Sequence, residues 1–117
     1  MSDVRERGLE IVADEVLDRV WDGVDGVYVS IDTDSIDAAY APGTTGPEPG
    51  GFTAVEILDL ARMIGKRGLT AVDNVELCSV YDRSGVTAKL IWAVLTEMLF
   101  AHAKHHGSTR TTPAKAS

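Results

Sequence analysis

Val27-Tyr28-Val29-Ser30-Ile31 most constrains the fold of this chain. It is short, rich in β-branched and aromatic residues, and apolar at both alternating sets of positions, as expected of a central parallel strand with helices on both faces. It runs without a turn into Asp32, so an acidic cluster follows the carboxyl end of the strand directly. A parallel neighbour needs a long crossover, and the rest of the sequence supplies one. Residues 38–52 carry three prolines and four glycines and read as a loop long enough to be functional. A helix then starts at Thr53, where Thr53 and Glu56 form a T-x-x-E capping box. Its buried face is Ile57, Leu60, Ala61 and Ile64, and Gly65 or Gly68 closes it. Leu69 to Leu77 is the second strand.

Two more helices flank this unit. From about Glu6 to Trp21, Leu9, Val12, Val16 and Val20 recur at helical spacing, with Ala13 and Leu17 widening the stripe. From about Gly85 to Ala103, the stretch Leu90–Leu95 is apolar nearly all round, which implies packing on more than one side. Trp21 and Trp92 are expected in the core. Residues 104–117 are polar, with Gly, Thr and Pro, and read as a disordered tail after a folded region of residues 1–103. Alternating helices and strands give an α/β fold with a parallel sheet. Two strands make a very small sheet, and neither looks like a protected edge, so the chain reads as a portion of a larger domain.

The charge narrows the function. Eleven Lys and Arg against 18 Asp and Glu leave a net charge of −7. That argues against nucleic acid and against an anionic membrane face. Cys78 is the one cysteine, so no internal disulfide forms and a reducing compartment fits. Residues 1–24 lack the apolar core of a signal peptide, and Leu90 to Ala101 is short of the roughly 20 residues that span a bilayer. The expectation is a soluble cytoplasmic protein.

Chemistry concentrates in Ser30-Ile31-Asp32-Thr33-Asp34-Ser35-Ile36-Asp37. Ligands of open α/β sheets bind beyond the carboxyl ends of strands. Carboxylates this close repel one another, so a hard divalent ion such as Mn²⁺ or Mg²⁺ competes with a plain solvated turn as the reason for gathering them. A calcium loop fails in detail, because Asp37 stands where glycine is required and Gly43 where glutamate is required. Glu76, at the end of the second strand, either reaches the same crevice and grips a planar cation through two hydrogen bonds or is a surface residue. His102 and His106 have metal-ligand spacing but fit a solvated helix end, and Cys78 reads as packing.

Together these segments resemble the ureohydrolase family of arginases and agmatinases. The resemblance covers about Asp3 to Ala101. It rests on S-I-D-T-D-S-I-D at 30–37, A-P-G-T at 41–44, P-E-P-G-G-F-T at 47–53, V-E at 75–76, Y-D at 81–82 and G-V-T-A at 85–88. The A-P-G-T and P-E-P-G-G forms are most like agmatinases. The resemblance implies the carboxy-terminal portion of a three-layer αβα fold and hydrolysis of a guanidino compound to urea and an amine at paired Mn²⁺ ions, which supply hydroxide from bound water. It makes Asp32 and Asp34 metal ligands, Glu76 the residue that orients the guanidinium, and Asp37 a support of the metal loop. Two further family motifs, G-G-D-H and D-A-H-x-D, do not occur in this sequence. Two of the family's four ligand aspartates are therefore present, and neither of its histidines. Ala38 stands where proline is usual, Thr45-Gly46 reverses a Gly-Thr order, and Cys78-Ser79-Val80 replaces a proline-containing stretch.

Three readings follow. In the first, catalysis needs an amino-terminal half supplied from elsewhere. In the second, the chain is a non-catalytic remnant that associates with intact subunits through its last helix. In the third, it is a mononuclear metal-binding α/β protein. The expected partners are a small guanidino substrate and either further copies of the chain or the complementing half.

Overall fold

The computed structural model describes residues 1–107. Helix α1 is Ser2–Arg7 and α2 is Leu9–Val20; strand β1 is Tyr28–Asp32, α3 is Ala54–Arg67, β2 is Ala71–Val75 and α4 is Val86–His106. β1 and β2 pair in parallel, with Tyr28 opposite Ala71 and Asp32 opposite Val75, and α3 is the crossover between them. The parallel α/β arrangement expected from the sequence is present.

Several boundaries differ. The first helix does not run unbroken from Glu6. Gly8 sits at φ 92°, a left-handed value open to glycine, and it separates α1 from α2. Within α2 only Ala13 and Leu17 are buried, while Val16 and Val20 are exposed. The helix leans on α3 along a narrower stripe than its sequence offers. β2 is shorter than expected, since Glu76 turns to φ 66° and ends it. Gly68, at φ 107°, closes α3, whereas Gly65 lies buried inside it. The capping box of Thr53 and Glu56 is formed in both directions. α4 continues through Lys104, His105 and His106, so the tail does not begin at 104; residues 108–117 of that expected tail lie outside the described residues.

The core is one cluster: Ile31 of β1, Ile36 and Ala41 of the following loop, Ile57 and Ala61 of α3, Leu69, and Ile91, Val94 and Met98 of α4. Alternation along the strands turns Val29, Ile31 and Val72 toward this cluster. The opposite face is bare. Tyr28 is 61% exposed, and Tyr28 and Ser30 both donate hydrogen bonds to Asp73 across that face. These two donors hold the Asp73 carboxyl below its usual range, the Tyr28 bond contributing most. The described residues therefore cover one face of the sheet, not both.

Trp92 is not in the core. It is 60% exposed, with Lys89 Nζ 4.7 Å above its ring. Trp21 is partly buried, and its indole N–H finds no acceptor among the described residues. α4, with 21 residues, is long and apolar enough by length and composition to span a bilayer, which the shorter run Leu90–Ala101 did not suggest. Thr87, Ile91, Val94 and Met98 line the one side of it that is buried against the rest of the domain, while Val86, Trp92, Leu99 and Phe100 stay exposed.

Candidate metal and guanidinium site

Asp32 ends β1 and caps the short 3₁₀ turn Thr33–Ser35, where its Oδ1 accepts from the Asp34 amide at 2.9 Å. Ser35 Oγ donates to the Asp32 carbonyl at 2.6 Å. These short-range bonds form an Asx turn that keeps Asp32 and Asp34 close in space. The turn is tied to β2 from below. Thr33, fully buried, donates to the Val75 carbonyl at 2.9 Å, and Asn74 Nδ2 donates to the Ile31 carbonyl at 2.8 Å and to Thr33 Oγ1 at 3.0 Å. The ends of the two strands are thereby locked together, which brings Glu76 to the same edge of the sheet as Asp32 and Asp34.

The loop at 38–52 has no helix or strand of its own, yet it is closely fastened. Phe52 pairs with Ile36: its amide donates to the Ser35 carbonyl and its carbonyl accepts from the Asp37 amide, both at 2.9 Å. Gly51 is required there, because a Cβ would stand 2.5 Å from the Ser35 carbonyl oxygen. Asp37 accepts from the amides of Ala39 at 2.8 Å and Gly50 at 2.7 Å. It is a fastener of the loop, in keeping with the support role that the family resemblance implies.

The Ala39 bond, followed by the Gly50 bond, lowers the Asp37 pKa below its ordinary value. A group depressed in the folded state contributes stability that is complete above its unfolded pKa and is lost as pH falls through the folded one. Protection of the Ala39 and Gly50 amides, relative to their intrinsic exchange, is therefore expected to persist through the ordinary aspartate range and to fall only below it. Protection already lost above that range, or unchanged at neutral pH in Asp37→Ala, would contradict this.

Farther along the loop, Thr44 is buried and donates to Asp34 Oδ1. Gly43 N donates to Thr87 Oγ1 at 2.8 Å, and Asp82 accepts from the amides of Thr87 and Ala88, which caps α4. Thr33, Thr44, Asn74 and Thr87 hold the site loops and were not distinguished in the sequence. Each lies inside a quoted stretch or beside one, but their hydrogen bonds are to residues ten to 44 positions away.

The histidines stand apart. His102 Nδ1 accepts from the Leu69 amide at 3.3 Å, and His106 Nε2 lies 2.7 Å from the Lys66 carbonyl, so both serve the junction before β2, opposite to the carboxylates. Their rings stack with centroids 5.2 Å apart. They are structural contacts rather than a freely solvated helix end. Cys78 is partly buried, and its amide donates to the Gly43 carbonyl.

A profile of the arginase family matches residues 1–101. The chain belongs to the arginase family. Its sequence is 38% identical over 101 residues to proclavaminate amidinohydrolase of Streptomyces clavuligerus, covering 86% of this chain and 32% of that one. It is 46% identical over 87 residues to the mitochondrial agmatinase of Gallus gallus, covering 73% and 24%. The solved structure of the Streptomyces clavuligerus enzyme superposes with a TM-score of 0.80 at 36% identity, over 90% of this chain and 34% of that chain. Bacillus subtilis arginase superposes with a TM-score of 0.80 at 28% identity, over 84% and 35%. The arginase fold is thus shared, and the chain spans about a third of the length of the relatives it matches.

Among the described residues no three His, Cys, Asp or Glu side chains cluster in a way that could hold a metal ion. Asp32 and Asp34 are hard oxygen donors of the kind manganese takes, but two carboxylates make one side of a site. The donor type fits and the donor number does not.

Proposed function

We propose that this segment contributes the carboxylate side of a manganese-dependent site that hydrolyses a small guanidino compound to urea and an amine, and that the site is completed by residues amino-terminal in the family fold. The observation that supports it most is the locking of the two strand ends. The bonds through Thr33 and Asn74 bring two acidic side chains and Glu76 to one edge, where an open α/β sheet receives its ligand. Family membership supports the reaction class, and relatives named agmatinase support agmatine as the substrate to try first.

Within this reading Asp32 and Asp34 would hold the metal, with the Asp34 amide and the Thr44 hydroxyl orienting the two carboxylates. Manganese, when bound, acidifies coordinated water and so makes a nucleophile available near neutral pH. Glu76 accepts N–H bonds from the planar guanidinium and fixes its carbon for attack. The Asp34 amide and the Thr44 hydroxyl hold the Asp32 and Asp34 carboxylates in place before any substrate arrives.

The test joins residues 1–107 to the amino-terminal two thirds of an agmatinase and assays urea release from agmatine with Mn²⁺. Activity is expected from the joined protein. The 117-residue chain alone should release no urea and should not retain two Mn²⁺ through gel filtration. Two tightly held Mn²⁺ per isolated chain, by mass spectrometry, would overturn the partial-site reading. A second reading, a non-catalytic chain that associates with intact family members, draws on the exposed Leu99 and Phe100 of α4. An inactive joined protein together with co-sedimentation of the chain and an intact enzyme would favour it.

A further inference from the structure

The loop that carries Thr44 does more than shield Asp34. Cys78 N donates to the Gly43 carbonyl at 2.8 Å, and Thr44 bridges Leu77 in antiparallel fashion. The next step of that register sets Thr45 opposite Glu76, and there Thr45 Oγ1 lies 3.3 Å from Glu76 Oε2. Glu76 is the only non-glycine described residue with a positive φ, at 66°. A bulky residue held in that region marks a place where the surroundings fix the backbone, and such places collect at functional sites. From this we propose that Thr45 is a positioning residue for Glu76: its hydroxyl holds one carboxylate oxygen so that the other faces the guanidinium. The proposal rests on the ureohydrolase reading for its purpose, but not for the contact itself.

The order Thr45-Gly46 suits this arrangement. A Cβ at Gly46 would stand 3.0 Å from Asp34 Oδ2, a tight contact that the end of the Asp34 side chain relieves by giving a few tenths of an ångström. A hydroxyl at 45 reaches Glu76. The two consecutive threonines therefore divide the work, with Thr44 donating to Asp34 on the buried side and Thr45 donating to Glu76 on the exposed side.

Carbon-13 labelling of glutamate carboxyls in the 117-residue chain gives a direct readout, with the Glu76 resonance identified by its loss in Glu76→Gln. At neutral pH, Thr45→Val, which keeps shape and removes the donor, should shift that resonance, and Thr45→Ser should return it. The double variant Thr45→Gly with Gly46→Thr should not return it. A Glu76 resonance unmoved by Thr45→Val, with the amide spectrum otherwise preserved, overturns the contact, as does its restoration in the double variant. In the joined protein described above, Thr45→Val should lower kcat by about tenfold, the scale of one lost hydrogen bond to a charged group, with Mn²⁺ content unchanged and Thr45→Ser largely active. A shifted resonance with unchanged kcat overturns the positioning role. A joined protein that releases no urea from any guanidino compound defeats the ureohydrolase reading, while the resonance still decides the Thr45–Glu76 contact.

Discussion

In a complete enzyme containing this segment, Asp32→Asn and Asp34→Asn should each lower metal content and urea release together, whereas Glu76→Gln should lower urea release alone. The two aspartates differ from Glu76 in what surrounds them. Asp32 caps the 3₁₀ turn and accepts the Asp34 amide, and Asp34 accepts a buried threonine hydroxyl. Converting either to an amide leaves these hydrogen bonds feasible but removes negative charge where a divalent cation needs it. Glu76 lies on the other strand end, beyond the pairing of Asp32 with Val75, and accepts a hydrogen bond from Thr45. Its amide keeps the size but loses the negative charge that draws the guanidinium, so substrate is misplaced with the metals still held. A misplacement of about 1 Å costs on the order of 10²-fold in rate. Metal analysis by plasma mass spectrometry beside a urea assay separates the cases. Loss of manganese in Glu76→Gln, or full activity in Asp32→Asn, would show that these roles are wrongly assigned.

Gly65→Ala should be the most damaging single-methyl change in the domain. A Cβ at Gly65 would lie 2.2 Å from the Met98 carbonyl oxygen and 2.7 Å from the Ala101 Cβ. Both opposing groups belong to α4, so no flexible side-chain end can swing away. Alanine gains about 1 kcal/mol over glycine in helix propensity. Overpacking against backbone costs about 3 kcal/mol, at the upper end of its usual range. The clash wins, and a net loss of about 2 kcal/mol is expected, together with displacement of α4 from α3. Denaturation at fixed protein concentration should show a clearly lowered midpoint. A raised midpoint would mean that α3 and α4 do not cross as closely as the structure has them.

Much of this was readable from local pattern. The capping box at Thr53 and Glu56 is a contact within four residues, so its sequence signature and its geometry coincide. The parallel strand running into Asp32 was also legible, because alternation and β-branching are properties of the segment itself. What escaped was set by partners remote in sequence. Val16 and Val20 have the right spacing for a core stripe, yet the stripe that α2 buries depends on where α3 lies. Thr33 and Asn74 are ordinary strand-end residues until the parallel register brings them together, 41 positions apart. The second face of β1 reads as buried because its residues suit burial, but the described chain provides nothing to cover it. Asp32, Asp34 and Glu76 stood out because charge at a strand end has few structural uses, whereas the threonines that hold the loop have many.

The pairing of Gly43 with Cys78 and of Thr44 with Leu77 also limits how this protein can vary in length. Proline- and glycine-rich surface segments usually tolerate insertions. Here the segment is pinned at Asp37, at Ala38 through the Glu48 carbonyl, at Gly43 and at Gly50. One residue added between Ala38 and Gly43 would either bulge or slip the pairing by one step, and a one-step slip exchanges inward and outward side chains. Thr44 would then face Glu76, and Asp34 would lose its donor. Among functional descendants of this sequence, gains and losses of residues in the loop are expected to gather at Gly46 and Pro47, two successive residues that no such bond secures.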